Sequence, residues 1–194
     1  GHVVGDWRTQ AFRVRRELAE TKRISISIPN HHGEETLERC VQSLTSKTGY
    51  PDYEILIVQS DKSQHAPAWL SRFPHRVLNS SGEDSATKNY AVNQTDALWL
   101  LFLSDSVEVI DPEWLTIMAE HVQRPEVGAV GARLLSPEGT IEHAGIVVAM
   151  NGTAQPAFRG FPAEPPGANR QLQVTRNCSA VSSAWKVTPI APRP

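Results

Sequence analysis

The chain has 194 residues, 19 basic and 21 acidic, with a formal net charge of -2 and 40% hydrophobic residues. That is enough for one domain with its own core, and the near-balance of charge excludes a general attraction to nucleic acid or to an acidic membrane surface. Two cysteines, Cys40 and Cys178, with no CxxC pair, argue against a disulfide scaffold or zinc ribbon and fit a reducing cytoplasm; no apolar run reaches the roughly 20 residues that span a bilayer, and the polar N-terminus does not read as a secretory leader.

Residues 1–23, with RVRRELAETKR at 13–23, read as an arm or short helix whose charges form a solvated face. Ile24–Pro29, ISISIP, alternates and is β-branched, which predicts a first strand. Asn30, His31, His32 and Gly33 form the loop after it. Residues 34–46 predict a helix: Leu37, Cys40, Val41 and Leu44 fall at i, i+3, i+4 and i+7 on one stripe. Glu34 and Glu35 sit at the positive end of its dipole. Residues 53–58, YEILIV, predict a second strand, and 59–63 the loop at its carboxyl end. A short helix is expected at 65–72 and a weak strand at 75–78. A helix is expected at 85–94, with Ala86, Tyr90 and Ala91 or Val92 facing inward.

Residues 98–109, LWLLFLSDSVEV, are the stretch around which the chain is organised. Six apolar residues, Leu98 to Leu103, break at once into Ser104, Asp105 and Ser106. A short apolar run bounded by polar breakers predicts a strand buried on both faces. Ligands bind outside the carboxyl ends of parallel strands, which puts Asp105 where chemistry is expected. The plainer alternative is a loop Asp that only ends the strand.

Pro112 opens another helix, EWLTIMAEHV. Residues 127–135 and 140–150 predict strands on either side of the tight turn Pro137-Glu138-Gly139. Residues 151–167, rich in Gly, Pro and Ala, read as a long loop. Residues 170–181 regain some order, and 185–194 read as a tail. Strands alternating with helices predict an α/β protein with a mostly parallel sheet covered on both faces.

Several segments together resemble glycosyltransferase family 2. ISISIPNHHGEETLERCVQSL resembles its opening strand, nucleotide loop and first helix; YPDYEILIVQSD its second strand; SATKNYAV its Ala-Arg-Asn helix. LLFLSDSVEVIDPEWL resembles the strand that ends in the DXD-type motif. RPEVGAVGARLLSPEGTIEHAG and RNCSAV are similar to the branch of rhamnosyl, O-antigen and cell-wall sugar transferases. The resemblance implies a GT-A fold, a Rossmann-like three-layer α/β sandwich, over residues 24–187, preceded by an arm at 1–23 and followed by a tail at 188–194. It implies transfer, with inversion, of a sugar from a UDP- or dTDP-sugar donor to a glycan or lipid-linked acceptor in polysaccharide or cell-wall biosynthesis, in the cytoplasm or at the inner face of the membrane.

Carried over position by position, the resemblance implies a donor nucleotide site at Pro29, Asn30, His31, Gln59, Asp61, Lys88, Ser104 and Asp105. His31 takes an aromatic's place. Gln59 replaces a base-contacting Asp and still offers both donor and acceptor. Lys88 replaces an Arg, keeping the charge but losing the bidentate fork. A divalent cation, Mg²⁺ or Mn²⁺, is implied to offset charge on the leaving diphosphate. Asp105 and Ser106 occupy the metal positions, with Glu108 a weaker backup. Ser-Asp-Ser keeps one carboxylate of the motif, and a neutral hydroxyl is a poor ligand. The family's general base normally lies beyond the point where this chain ends, so the domain is expected to be cut short on its acceptor side. Glu138, Glu142 and Glu164 are the acidic candidates within it, and His143 matches a histidine recurrent in the branch, with a structural role as its alternative. Glu142 and His143 are the catalytic candidates. The rival reading is a degenerate, non-catalytic GT-A domain that binds a nucleotide or a protein partner. An unrelated doubly wound domain is disfavoured by the lack of GxGxxG and GxxxxGKS.

Overall fold

A computed structural model describes residues 1–6, 11–59, 67–80, 84–148, 152–163 and 186–189. The central sheet has five strands. In chain order these are β3 (Ile24–Pro29), β4 (Tyr53–Gln59), β5 (Arg76–Asn79), β6 (Trp99–Phe102) and β11 (Lys186–Pro189). Their spatial order is β11-β6-β3-β4-β5. The four strands β6, β3, β4 and β5 are parallel, and β11 adds antiparallel to β6. Parallel neighbours require crossovers, which α1 (Glu34–Lys47) and α2 (Asp84–Val92) supply within them. α3 (Trp114–Val122) follows β6.

Strand alternation distributes the side chains between two layers. Ile24, Ile26, Ile28, Ile55, Ile57, Leu101 and Leu103 pack with Leu37, Cys40, Val41 and Leu44 of α1 and Leu115, Met118, Ala119 and Val122 of α3. Leu56, Val58 and Leu78 pack on the other face with Ala91 of α2. Each fully buried aliphatic contributes roughly 1.5–3 kcal/mol. The α1 stripe, the three leading strands and the strand at 99–102 follow the sequence pattern, and the architecture is the α/β sandwich expected.

Other elements differ. The N-terminal residues form a hairpin, β1 (His2–Asp6) with β2 (Ala11–Arg15), not a short helix. Nor is Arg15 on a solvated face: its guanidinium holds Glu120 at 2.6 Å and Glu113 at 3.0 Å, which ties the hairpin's end to α3. The expected helix at 65–72 is a 3-10 turn at Ala68–Arg72. In α2 the inward residues are Thr87 and Ala91, whereas Tyr90 is exposed and Ala86 faces out. In the stretch 127–135, β7 (Leu134–Leu135) is the one named strand, with Val130 an isolated bridge residue before it. The stretch 140–150 splits into β8 (Ile141–His143) and β9 (Ile146–Val148) around Gly145, whose φ of 100° an L side chain rarely adopts. The expected loop after 151 contains β10 (Ala154–Pro156), paired with β9. β11 falls where the sequence suggested a tail, while 170–181 and 190–194 lie outside the described residues.

Candidate functional site

Register brings the first, second and fourth sheet strands of the sequence to one rim. β3 and β4 run in step to Pro29 opposite Val58. The Asn30 N–H then bonds the Val58 carbonyl at 2.9 Å, so the chain leaves β3 alongside Gln59. β6 pairs with β3 as far as Ser27 opposite Phe102, and the Leu103 N–H bonds the Ser27 carbonyl at 3.0 Å. Ser104 and Asp105 therefore emerge beside the Asn30–Gly33 loop. Gly33 closes that loop at φ 92° and ψ 173°, a conformation open mainly to glycine, and α1 begins at the next residue.

Asp105 is the centre of this rim. It is 1% exposed. Its Oδ2 accepts the backbone N–H of His31 at 2.7 Å and of His32 at 2.8 Å. Its Oδ1 accepts from Nδ1 of His32 at 2.6 Å. Three donors are thus spent on one carboxylate, all from a loop more than 70 positions away in sequence. Ser104 and Ser106 bond each other through their hydroxyls at 2.9 Å, and Ser106 is exposed. The Cys40 thiol points at the Ser104 carbonyl at 3.7 Å, and burial pushes its pKa up to about 12, so it stays a neutral thiol.

At the same rim, two amide oxygens lie buried with no partner: Asn30 Oδ1 and Gln59 Oε1. The Gln59 side chain is 1% exposed. Leaving a buried acceptor unmade costs about 1–3 kcal/mol, and such groups mark places where a ligand or ordered water belongs. Pro29, Asn30, His31, Gln59, Ser104 and Asp105 lie together at the carboxyl rim of the sheet. Lys88 stands half-buried on α2, on the other face of the sheet from α1, and Asp61 lies outside the described residues. His32, which sequence reasoning treated only as the neighbour of His31, is the residue missed. The one signal was the His-His pair following a strand that neighbours the Asp-bearing strand.

The metal candidates do not assemble into a ligand set. Asp105 is buried with three donors already on its two oxygens, and Ser106 offers a hydroxyl already engaged. Glu108 is 57% exposed and faces Arg39 at 4.0 Å. Among the described residues no three His, Cys, Asp or Glu side chains are grouped to hold an ion.

The catalytic candidates also separate. Glu142 points outward and is paired with Arg159 at 3.0 Å, while His143 points inward and is 4% exposed. The two sit on opposite faces of β8. The Gly145 N–H donates to His143 Nδ1 at 3.3 Å, which puts the ring proton on Nε2, buried without a partner. Burial lowers the pKa of this ring. Glu138 is held low by Ser136 and its own backbone N–H at an exposed turn. Glu164 lies outside the described residues.

A cleft of about 600 Å³ opens at the opposite, amino end of the sheet. Its charges satisfy one another: Arg23 with Asp52 at 2.9 Å, Arg76 with Glu54 at 3.4 Å, Lys22 with Glu20 at 2.8 Å. It lacks the unpaired groups found at the Asp105 rim.

The sequence profile of Glycosyl transferase family 2 matches residues 25–161. The O-antigen biosynthesis protein RfbC of Myxococcus xanthus is 36% identical over 180 residues, covering 89% of this chain and 14% of RfbC. An uncharacterized protein, y4gI, of Sinorhizobium fredii is 32% identical over 185 residues, covering 91% of this chain and 20% of y4gI. The chain thus spans a small fraction of both relatives. In fold it is similar to the mannosyltransferase PcManGT of Pyrobaculum calidifontis, solved with GDP-Man and Mn²⁺. The TM-score is 0.54 at 16% identity, over 68% of this chain and 42% of that one.

Proposed function

The chain belongs to glycosyl transferase family 2, and from that premise we propose that it is the donor-binding domain of an inverting nucleotide-sugar glycosyltransferase of polysaccharide or cell-wall biosynthesis. The observation that carries this reading is the pair of partnerless buried acceptors, Asn30 Oδ1 and Gln59 Oε1, at the carboxyl rim of a parallel sheet. Nucleobases carry N–H donors on their edges, and a buried, pre-formed acceptor pair is what recognises them. The resemblance to an O-antigen biosynthesis protein supports a polysaccharide product. In the reaction, an acceptor hydroxyl oxygen bonds the anomeric carbon as the bond to the diphosphate breaks. The hydroxyl proton passes to a base, and the diphosphate leaves with the electron pair.

Calorimetric titration with UDP, dTDP and GDP, followed by a hydrolysis screen with their sugar conjugates, tests the proposal. The expected result is selective binding of one nucleotide. Binding of none of the three refutes it. A second reading, a binding domain without turnover, is favoured by one observation: Glu142 is tied to Arg159, away from His143. Nucleotide binding with no donor hydrolysis, under any acceptor supplied, supports that second reading.

A further inference from the structure

The resemblance implies a divalent cation at the Asp105 position, and the described side chains there do not fit one. We propose that Asp105 is instead the anchor of the Asn30–His32 loop, and that this site takes its nucleotide without a divalent metal. The second half rests on the donor-site reading above; the first does not.

A carboxylate offers about four lone-pair positions. Three are filled by donors at 2.6 to 2.8 Å, two backbone N–H groups on Oδ2 and the His32 ring on Oδ1. The Asp105 side chain is 0% exposed. Mg²⁺ and related hard ions hold several of their waters and need carboxylate oxygens within about 2.0–2.2 Å, and a fully buried carboxylate with one lone-pair position left has no room for a hydrated ion. Binding an ion there would break a charge-assisted hydrogen bond and strand backbone N–H groups. Among the described residues no second carboxylate repays that loss: Ser106 is neutral, and Glu108 is exposed and faces Arg39 at 4.0 Å. The same three bonds set the conformation of His31 and of Asn30, whose buried oxygen is half of the acceptor pair. Asp105 is thus a positioning residue, acting on the nucleotide through the loop it holds.

Three measurements on the full chain test this. Mn²⁺ alone is titrated and followed by the electron spin resonance signal of the free ion. UDP, dTDP and GDP are titrated in Mn²⁺ and in EDTA. Amide hydrogen exchange at His31 and His32 is compared in the wild type, Asp105→Asn and Asp105→Ala. The expected results are no Mn²⁺ uptake that depends on Asp105 and nucleotide affinity equal within about twofold with and without metal. His31 and His32 should be protected in the wild type, partly protected in Asp105→Asn, which keeps one acceptor oxygen, and unprotected in Asp105→Ala, while Ile26 and Ile57 stay protected. Mn²⁺ uptake that Asp105→Ala abolishes, or nucleotide binding tightened about tenfold or more by Mn²⁺, overturns the proposal. So does exchange at 31 and 32 that is indifferent to Asp105. If no nucleotide binds, the donor-site reading falls, and the ion and exchange measurements still decide the role of Asp105. If Asp105→Ala does not fold, Asp105→Asn and the wild-type ion titration decide it.

Discussion

Gln59→Leu is the substitution in which stability and function should move in opposite directions. Gln59 is 1% exposed at the end of β4, and its Oε1 has no partner. The wild-type protein carries the desolvation cost of that acceptor, about 1–3 kcal/mol. Leucine has a similar volume and nothing to satisfy, and strand alternation puts position 59 on the same face as Ile55 and Ile57 of the main apolar core. Without ligand, the variant should be more stable by about 1–2 kcal/mol, the lower part of that range, because a branched side chain does not fill an amide's site perfectly. For a chain of this size that is a rise of roughly 2–8 °C in Tm. Urea denaturation and a thermal scan measure it. Calorimetry should then show nucleotide binding weakened about tenfold or more, since the base loses its acceptor. A variant destabilised by about 1 kcal/mol or more would refute the reasoning. It would mean that the Gln59 amide is an integral part of the fold rather than a group awaiting a ligand.

Three further outcomes are expected. Arg15→Ala leaves Glu120, 4% exposed, with the Arg16 N–H as its one donor among the described residues. Burial pushes the Glu120 pKa up, and the Arg15 guanidinium together with the Arg16 N–H outweighs it, so the group is net lowered in the fold. Its contribution is therefore present above the ordinary carboxylate range and lost as pH falls through the lowered pKa. Urea denaturation at neutral pH should show a loss of about 2–3 kcal/mol, below the full cost of breaking a buried pair because Arg15 is partly exposed, and the loss should shrink in acid. His143, lowered from 6.5 by burial, binds fewer protons folded than unfolded. Stability should fall as pH drops below 6.5, with a slope of at most about 1.4 kcal/mol per pH unit, and His143→Gln should flatten that slope in denaturation at matched pH values. Gly33→Ala should cost about 1–3 kcal/mol, since an added Cβ meets no atom within 4 Å and the penalty lies in the φ of 92°; thermal unfolding checks it.

The parts of the fold that were legible are those where local pattern and burial agree. ISISIP alternates because Ile24, Ile26 and Ile28 face α1 and α3 while Ser25 and Ser27 face the other layer, and the α1 stripe is buried as spaced. Thr87 was missed as an inward residue because a hydroxyl does not register as apolar; it lies 3.4 Å from the Ser80 hydroxyl. The N-terminal hairpin was illegible because what fixes its end is a pairing of Arg15 with Glu113 and Glu120, far along the chain. At the site, parallel topology was enough to place Asp105 at the rim. That its oxygens are consumed by two backbone N–H groups and a neighbouring ring depends on the loop's path, which residue types alone do not encode.

The placement of β11 bears on how this domain is handled in the laboratory. Trp99, Leu100 and Leu101 of β6 are buried, and the strand lies between β3 and β11, so β11 covers the flank that β3 leaves open on the strand leading to Asp105. A fragment cut before Lys186 would leave that flank as a bare row of backbone donors and acceptors on an aliphatic and aromatic strand, with no charged side chain to deter pairing. Such edges recruit a second copy. Shortened versions should therefore precipitate or pair edge to edge rather than unfold, and a loss of solubility on trimming the chain would report a missing sheet neighbour, not a damaged site.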